Sequence, residues 1–565
     1  MPAPDKKCDL VMKGGITSGV VYPKAVLELS KTYVFQNIGG ASAGAIAAVV
    51  TAAAEYGRAD GGFEKIAALP DQLAADLLGK FQPRPEFRGL FALLLAALGR
   101  KPAPILWALL RGYWPRALIG AAPGAVILVF FGGDAGFALL GLLLAALGAL
   151  CGAGHGAARQ VARDQPQNDF GLCDGRTQPG ADGPALTDWL TDFIDEVAGR
   201  PADAAPLTIS DLAARGITVR TVTTDITTHR PYSLPMGNNL HAFSEMEFRR
   251  LFPARVVDHM IASSAKVGGW GGDPADLYYF QSEATPLVVL ARMSLSFPGL
   301  ISAVPLHRID HTLIGAPENA RVRRCLFSDG GVSSNFPVHF FDQLLPQTPT
   351  FGISLAVHDP LRVKDVAPGA GRVTLPTGAG AGRLMPTIPF SGLGGFVMAM
   401  FNSAKDWQDS LQSILPGYRE RIVTVNLKPD EGGLNLTMAP ETITRLGDLG
   451  EAAGAEIEAK FDLEEHRWRR YLIEMQALDT LLRRFAQNYD NQTPQPGARA
   501  YPDLALDYEP KSFTNLTKAE RALIHGRAER VAALGREFEG MAPLADFARK
   551  LPSSKSALRN VALMD

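Results

Sequence analysis

Residues 34–55 read VFQNIGGASAGAIAAVVTAAAE, and the fold turns on how they are parsed. Val34–Ile38 reads as a short strand. Ala43–Glu55, rich in Ala and Val and uncharged before Glu55, reads as a helix. Between them Gly40-Ala41-Ser42-Ala43-Gly44 is a G-x-S-x-G directly after a strand and directly before a helix. In a chain with 57 glycines the string alone carries little weight, and the strand–turn–helix context carries the argument. A serine on so sharp a turn needs neighbours without bulk, which Gly40, Gly44, Ala41 and Ala43 provide. Its hydroxyl then projects into a crevice, and the positive end of the following helix faces a developing oxyanion. Ser42 is therefore a candidate nucleophile.

Upstream, Asp9–Met12 is a buried-strand run ending in Lys13-Gly14-Gly15, which opens a second glycine-rich turn, Gly14–Gly19. Strands alternating with helices at this spacing predict a parallel α/β architecture. Parallel strands bring their C-terminal ends to one edge, so the two turns meet there. Exposed amides in the first turn suit an oxyanion hole. No G-K-[ST] follows to make it a nucleotide loop.

The 565-residue length holds about three or four domains' worth of chain. Lys plus Arg number 56 against 58 Asp plus Glu, a net charge of −2, which argues against a nucleic-acid binder working by bulk electrostatics. With 47% hydrophobic and 20% charged residues, disorder as the main state is excluded. Cys8, Cys151, Cys173 and Cys325 form no C-x-x-C pair, which argues against a disulfide scaffold or a cysteine zinc site and fits a reducing compartment. The N-terminus MPAPDKKCDLVMKGG has no apolar h-region of a signal peptide.

Residues 117–158 contain a single formal charge, Asp134, and divide into apolar arms at 117–133 and 135–154. Each is near the length of about 20 residues that spans hydrocarbon as a helix, with Gly132-Gly133-Asp134 as the turn between them. Arg111 and Arg116 precede the pair and Arg159 and Arg163 follow it, placing both ends on the cytoplasmic side. Trp107, Tyr113 and Trp114 stand where an interfacial aromatic belt belongs, and Gly148 and Gly152 form a G-x-x-x-G. Membrane insertion is the expectation; a soluble apolar cap over the site is the plainer alternative.

Further strands are expected at Ile217–Thr228, Arg323–Phe327, Thr350–Val357 and Arg421–Leu427, and a helix at Leu186–Val197. Residues 360–395 read as a mobile Gly/Pro-rich loop, and Glu451–Asn488 and Lys518–Arg549 as amphipathic helices. Asp329-Gly330-Gly331 follows one of these strands; alone it is a common turn, though an aspartate at such a strand end approaches another backbone closely.

Together LVMKGGITSG (10–19), IGGASAGAIAA (38–48), TVTTDITTHRP (221–231), SLSFPGLISAVPL (294–306) and SDGGVSSNFPV (328–338) resemble the patatin-like phospholipase family. The resemblance implies a three-layer α/β/α core with a mostly parallel central sheet. It also implies a Ser–Asp dyad without a catalytic histidine, and hydrolysis of lipid acyl esters with no metal and no cofactor. It carries the nucleophile role to Ser42 and the base role to Asp329. The oxyanion amides fall to Gly14, Gly15 and Ile16 with Ala43. The family's first turn reads D-G-G-G-x-[RK]-G; here Lys13, Ile16 and Ser18 replace its aspartate, third glycine and basic residue. A β-branched Ile16 resists positive φ, so the loop either keeps an ordinary backbone or has shifted. Lys13 is a possible source of the missing basic group.

Other signals carry less. His307 and His311 lack the glutamate of a zinc helix motif. Asp225 reads as a structural hydrogen-bonding residue, and RWRRY (467–471) as a solvated helix face. The expected division is 1–59 and 206–360 as the two parts of the core and 60–205 as an insertion with the hairpin. Residues 361–439 are then a loop with the last core elements, and 440–565 a helical C-terminal region. The expected function is a membrane-associated phospholipase A or lysophospholipase acting on a membrane phospholipid or other acyl-ester lipid, without nucleic acid. A neutral-lipid lipase, a general esterase, and a catalytically silent membrane-tethered scaffold are the alternatives.

Overall fold

Strand β1 (Lys6–Met12) shows why the sheet is central. Cys8, Leu10 and Met12 project into the main core, while Val11 projects to the other side among Phe336, Val338 and Ile422. A strand buried on both faces reads as an unbroken apolar run and requires covering layers above and below the sheet. The computed structural model describes residues 4–99, 101–237, 240–268, 276–361, 371–378, 382, 386–491, 495–512 and 515–544.

The remaining strands are β2 (Tyr33–Ala41), β3 (Thr218–Asp225), β4 (Arg230–Leu234), β5 (Ala242–Ser244), β6 (Leu277–Tyr279), β7 (Val304–Ile309), β8 (Val322–Asp329), β9 (Thr350–Val357), β10 (Val373–Thr374) and β11 (Ile422–Leu427). They join β1 in one sheet of order β10-β11-β9-β1-β2-β3-β8-β7-β5-β6, with β4 beside β3. The run β11-β9-β1-β2-β3 is parallel throughout. Beyond β3 the pairings turn antiparallel. The architecture is thus the expected α/β one, with a parallel half that carries Ser42 and an antiparallel half that carries Asp329.

Register joins the halves. Ala41 pairs with Val222, so Ser42 emerges level with Thr223, and Thr223 pairs with Asp329. β8 overlaps β3 by only three residue pairs, and this short antiparallel overlap brings a C-terminal strand end to the edge where the parallel strands end.

Helix α1 (Tyr22–Ser30) and helix α2 (Ala43–Tyr56) pack on the sheet beside the Pro440–Lys460 helix. A Cβ on Gly450 would lie 1.8 Å from the Val21 carbonyl oxygen, so that glycine permits the helix to seat on the chain entering α1. The helix expected over 451–488 is two helices, Pro440–Lys460 and Leu463–Tyr489. The break serves packing: Phe461 turns edge-on to Phe351, centroids 4.9 Å apart, and Asp462 caps the next helix by accepting from the Glu465 amide. In the RWRRY run Trp468 is exposed as expected, but Arg470 is buried and donates to Asp342 Oδ2 and the Gln343 carbonyl. The strand expected to reach Thr228 stops at Asp225, whose carboxylate accepts from the Thr227 and Thr228 amides and turns the chain back into β4. Of the loop expected over 360–395, residues 362–370, 379–381 and 383–385 lie outside the described residues. So do residues 545–565; the last described helix is Lys518–Glu539.

The apolar arms are helices Trp114–Phe131 and Ala135–Arg163, both long and apolar enough to cross a membrane. Asp134 caps the second by accepting from the Gly136 and Phe137 amides. The arms touch through glycines on both sides: a Cβ on Gly148 would lie 2.0 Å from the Gly120 carbonyl oxygen, and one on Gly124 2.2 Å from the Ala145 nitrogen. Gly120 and Gly124 are a second G-x-x-x-G that the sequence reading passed over. The second arm runs on past residue 154, where Ala153, Gly156 and Ala157 are buried and Gly156 lies against Tyr113 and Arg116. Tyr113 donates to Gln160 there. The outer faces are bare: Ile119, Val129 and Phe130 are each more than 70% exposed.

Candidate active site

Ser42 sits between β2 and α2 with φ 54° and ψ −128°, a backbone that non-glycine residues rarely adopt. Close approach of three backbone segments holds it there. A Cβ on Gly40 would lie 2.2 Å from the Gly44 carbonyl oxygen, and one on Gly44 2.2 Å from the Met12 carbonyl oxygen. The Ser42 amide donates to Ser294 Oγ at 3.0 Å, which fixes the turn from the opposite side. Gly44→Ala is expected to lower stability by about 1–3 kcal/mol, because the obstructing atoms are backbone and cannot swing aside. Urea unfolding with ester turnover checks this; wild-type values in both would show that the elbow has room to spare.

Ser42 Oγ donates to Asp329 Oδ2 at 2.7 Å, and both residues are buried. Asp329 Oδ1 accepts from the Gly331 amide at 2.7 Å, and the Asp329 amide donates to the Ser296 carbonyl at 3.0 Å. Burial pushes the Asp329 carboxyl up to about 6, against the opposing pull of its hydrogen bonds from Ser42 and Gly331 and the charge of Lys405. Ser296 is itself set by the buried Arg292, which donates to Ser296 Oγ at 2.7 Å.

Gly14 lies against the serine: a Cβ there would be 3.0 Å from Ser42 Cβ and 2.1 Å from Asn335 Oδ1. Its amide donates to the Asn335 carbonyl at 2.8 Å. The Gly15, Ile16 and Ala43 amides hold no such bond among the described residues. Neither Gly14, Gly15 nor Ile16 takes a left-handed φ, so the loop keeps an ordinary backbone and tolerates a β-branched residue. Lys13 donates through Nζ to the Leu355 carbonyl at 3.2 Å, and burial lowers its pKa.

The basic group whose charge reaches Asp329 is Lys405, on the Gly392–Ser413 helix. That helix also holds the chain after Asp329. Asp409 Oδ2 accepts from the Asn335 and Phe336 amides at 2.6 and 2.8 Å, and Asp406 Oδ1 accepts from Asn335 Nδ2 at 3.3 Å. Sequence reasoning missed these residues. Their spacing, two aspartates at i and i+3, is common to any polar helix face and points to no chemistry by itself.

An apolar cavity opens beside Ile16 and Ala43 and runs past Ile46 and Val50 of α2 toward Leu69 and Trp189. Residues around the elbow also belong to one apolar cluster with the base of the hairpin: Ala43 and Leu295 at one end, Ala117 and Ala153 at the other.

Residues 10–342 match the family model described as patatin-like phospholipase. The chain is also similar to the RpoH suppressor of Rhizobium meliloti (strain 1021), 35% identical over an alignment covering 96% of each chain.

Proposed function

The chain belongs to the patatin-like phospholipase family of lipid acyl hydrolases, and from that premise we propose that it is a membrane-associated serine lipid acyl hydrolase of the phospholipase A or lysophospholipase type. The observation that carries this reading is the 2.7 Å hydrogen bond from Ser42 Oγ to a buried Asp329 on a strained elbow. A serine hydroxyl is a weak nucleophile until a base takes its proton, and burial makes the aspartate a better base than it is in water. As Ser42 Oγ bonds to the ester carbonyl carbon, its proton passes to Asp329 Oδ2. The oxyanion meets the Gly15, Ile16 and Ala43 amides. Asp329 then returns the proton to the departing alcohol oxygen, leaving acyl-Ser42. Water, giving a proton to the same carboxylate, then bonds to the acyl carbon; the bond to Ser42 Oγ breaks, the proton passes from Asp329 to Oγ, and the fatty acid leaves with the serine restored. The base supplies about 10²–10⁴-fold in rate, and each oxyanion donor about 2.7–4 kcal/mol of transition-state stabilisation.

The cavity beside Ile16 and Ala43 suits one acyl chain, since its wall is nearly all apolar. Membrane attachment is supported by the exposed outer faces of the hairpin and its length. The arginines at both ends support a catalytic domain on the cytoplasmic side. The test is fatty-acid release from mixed phospholipid vesicles without added calcium, and release is expected. Release from triacylglycerol emulsions alone would replace the phospholipase reading with a neutral-lipid lipase. No ester turnover, with Ser42 unlabelled by a fluorophosphonate probe, would leave the scaffold reading.

A further inference from the structure

Away from Ser42, three side chains from distant parts of the sequence meet in the antiparallel half of the sheet: Asp225 at the end of β3, His241 just before β5, and Cys325 within β8. One potential ligand atom from each, an oxygen, a nitrogen and a sulfur, lies within 4.8 Å of the other two. All three residues are at most 1% exposed. A tetrahedral zinc ion, with bonds of about 2.0–2.3 Å, holds its ligand atoms roughly 3.5 Å apart, so closing this set around an ion takes a contraction of up to about 1.3 Å.

His241 is the informative member. Its ring is packed edge-on to Tyr232 and Phe327, and among the described residues neither Nδ1 nor Nε2 has a hydrogen-bond partner. A buried imidazole with both nitrogens unpartnered is costly, and such a group calls for an explanation. Cys325 is a free cysteine whose thiol burial and the Asp225 charge push up to about 12.

We infer that Asp225, His241 and Cys325 form a buried site for one divalent, thiophilic metal ion of the zinc class. Binding releases the Cys325 proton, and the resulting thiolate with the Asp225 carboxylate neutralises the 2+ charge within a pocket already bordered by arginines. Three protein ligands leave one tetrahedral position for water. Cys325 and Asp329 lie on one face of β8 with Phe327 between them, about 13 Å apart at four residue rises. The ion therefore takes no part in ester hydrolysis and clips β3, β5 and β8 together behind Asp329. With ligands 16 and 84 residues apart, no local spacing in the sequence marks the site.

The test uses the purified full-length chain in detergent, loaded with zinc and freed of excess. Mass spectrometric metal analysis is expected to find about one zinc per chain. Cys325→Ser and His241→Gln should each lose most of it. Loading with cobalt(II) instead should give a thiolate-to-cobalt charge-transfer band in wild type that is missing from Cys325→Ser. Zinc retained at the wild-type level by either variant, or a cobalt band that persists without Cys325, overturns the assignment. Should the variants fail to fold, Cys151→Ser, which removes the exposed free cysteine, decides: a thiolate band that it keeps supports the site, and absence of the band removes it.

Discussion

Ser42→Ala is expected to abolish fatty-acid release from phospholipid vesicles, by roughly 10⁴-fold or more, and Asp329→Asn to lower it by about 10²–10⁴-fold. The two differ because alanine removes the atom that bonds to the acyl group, whereas asparagine removes only the acceptor of its proton. Near-wild-type release from either variant would sink the dyad. The wild-type rate should rise with pH through about 6 and level off above it, since the carboxyl acts as a base only when ionised and burial sets its pKa there. Stability runs the other way. The folded-state value stands above the ordinary 3.8, so the protonated form favours folding. That contribution is fully present below the ordinary value and is lost as pH rises through about 6. Asp329→Asn should therefore unfold no more easily than wild type at pH 7–8 while turning over far less ester. A lowered thermal midpoint in that variant would mean that lost activity reports a damaged fold.

Replacing residues 118–152 by a short Gly/Ser linker should release the protein from membranes after a carbonate wash and leave turnover of a soluble short-chain ester near wild type. The cut spares Tyr113, Ala117, Ala153 and Ala157, which are buried in the cluster leading to the elbow. It removes the bare faces around Ile119, Val129 and Phe130. The arms lie close enough at their base to be joined, as a Cβ on Gly152 would sit 2.2 Å from the Arg116 carbonyl oxygen. Burying about 20 apolar residues per arm in hydrocarbon far outweighs any surface attachment. A shortened protein that still pellets with membranes would place the anchor elsewhere, and one that loses short-chain ester turnover would favour the hairpin as a cap over the site.

Much of this was legible in the chain because the signals are local. The strand–turn–helix around Ser42 needs only small residues at Gly40 and Gly44, and Thr350–Val357 and Leu186–Val197 have the bounds their apolar patterns predict. The hairpin arms announce themselves by length and lack of charge. Elements were misread where tertiary contacts set a boundary: Phe461 breaks a helix because it packs on Phe351, and Arg470 is buried because Asp342 receives it.

The sequence by itself determined which residues could form an elbow, which strand end carries Asp329, and which arms are apolar enough for a bilayer. Only the tertiary structure decided that β8 runs antiparallel to β3 with a three-pair overlap, and so sets Asp329 level with Ser42. It also decided that Gly14 gives its amide to Asn335, and that Asp406 and Asp409 hold the segment behind the aspartate. The physical reason is range. Backbone propensity and apolar periodicity act over a few residues and are written in neighbours. Register, hydrogen-bond partners and the desolvation that raises Asp329 depend on segments hundreds of residues apart, which meet only once the core has closed.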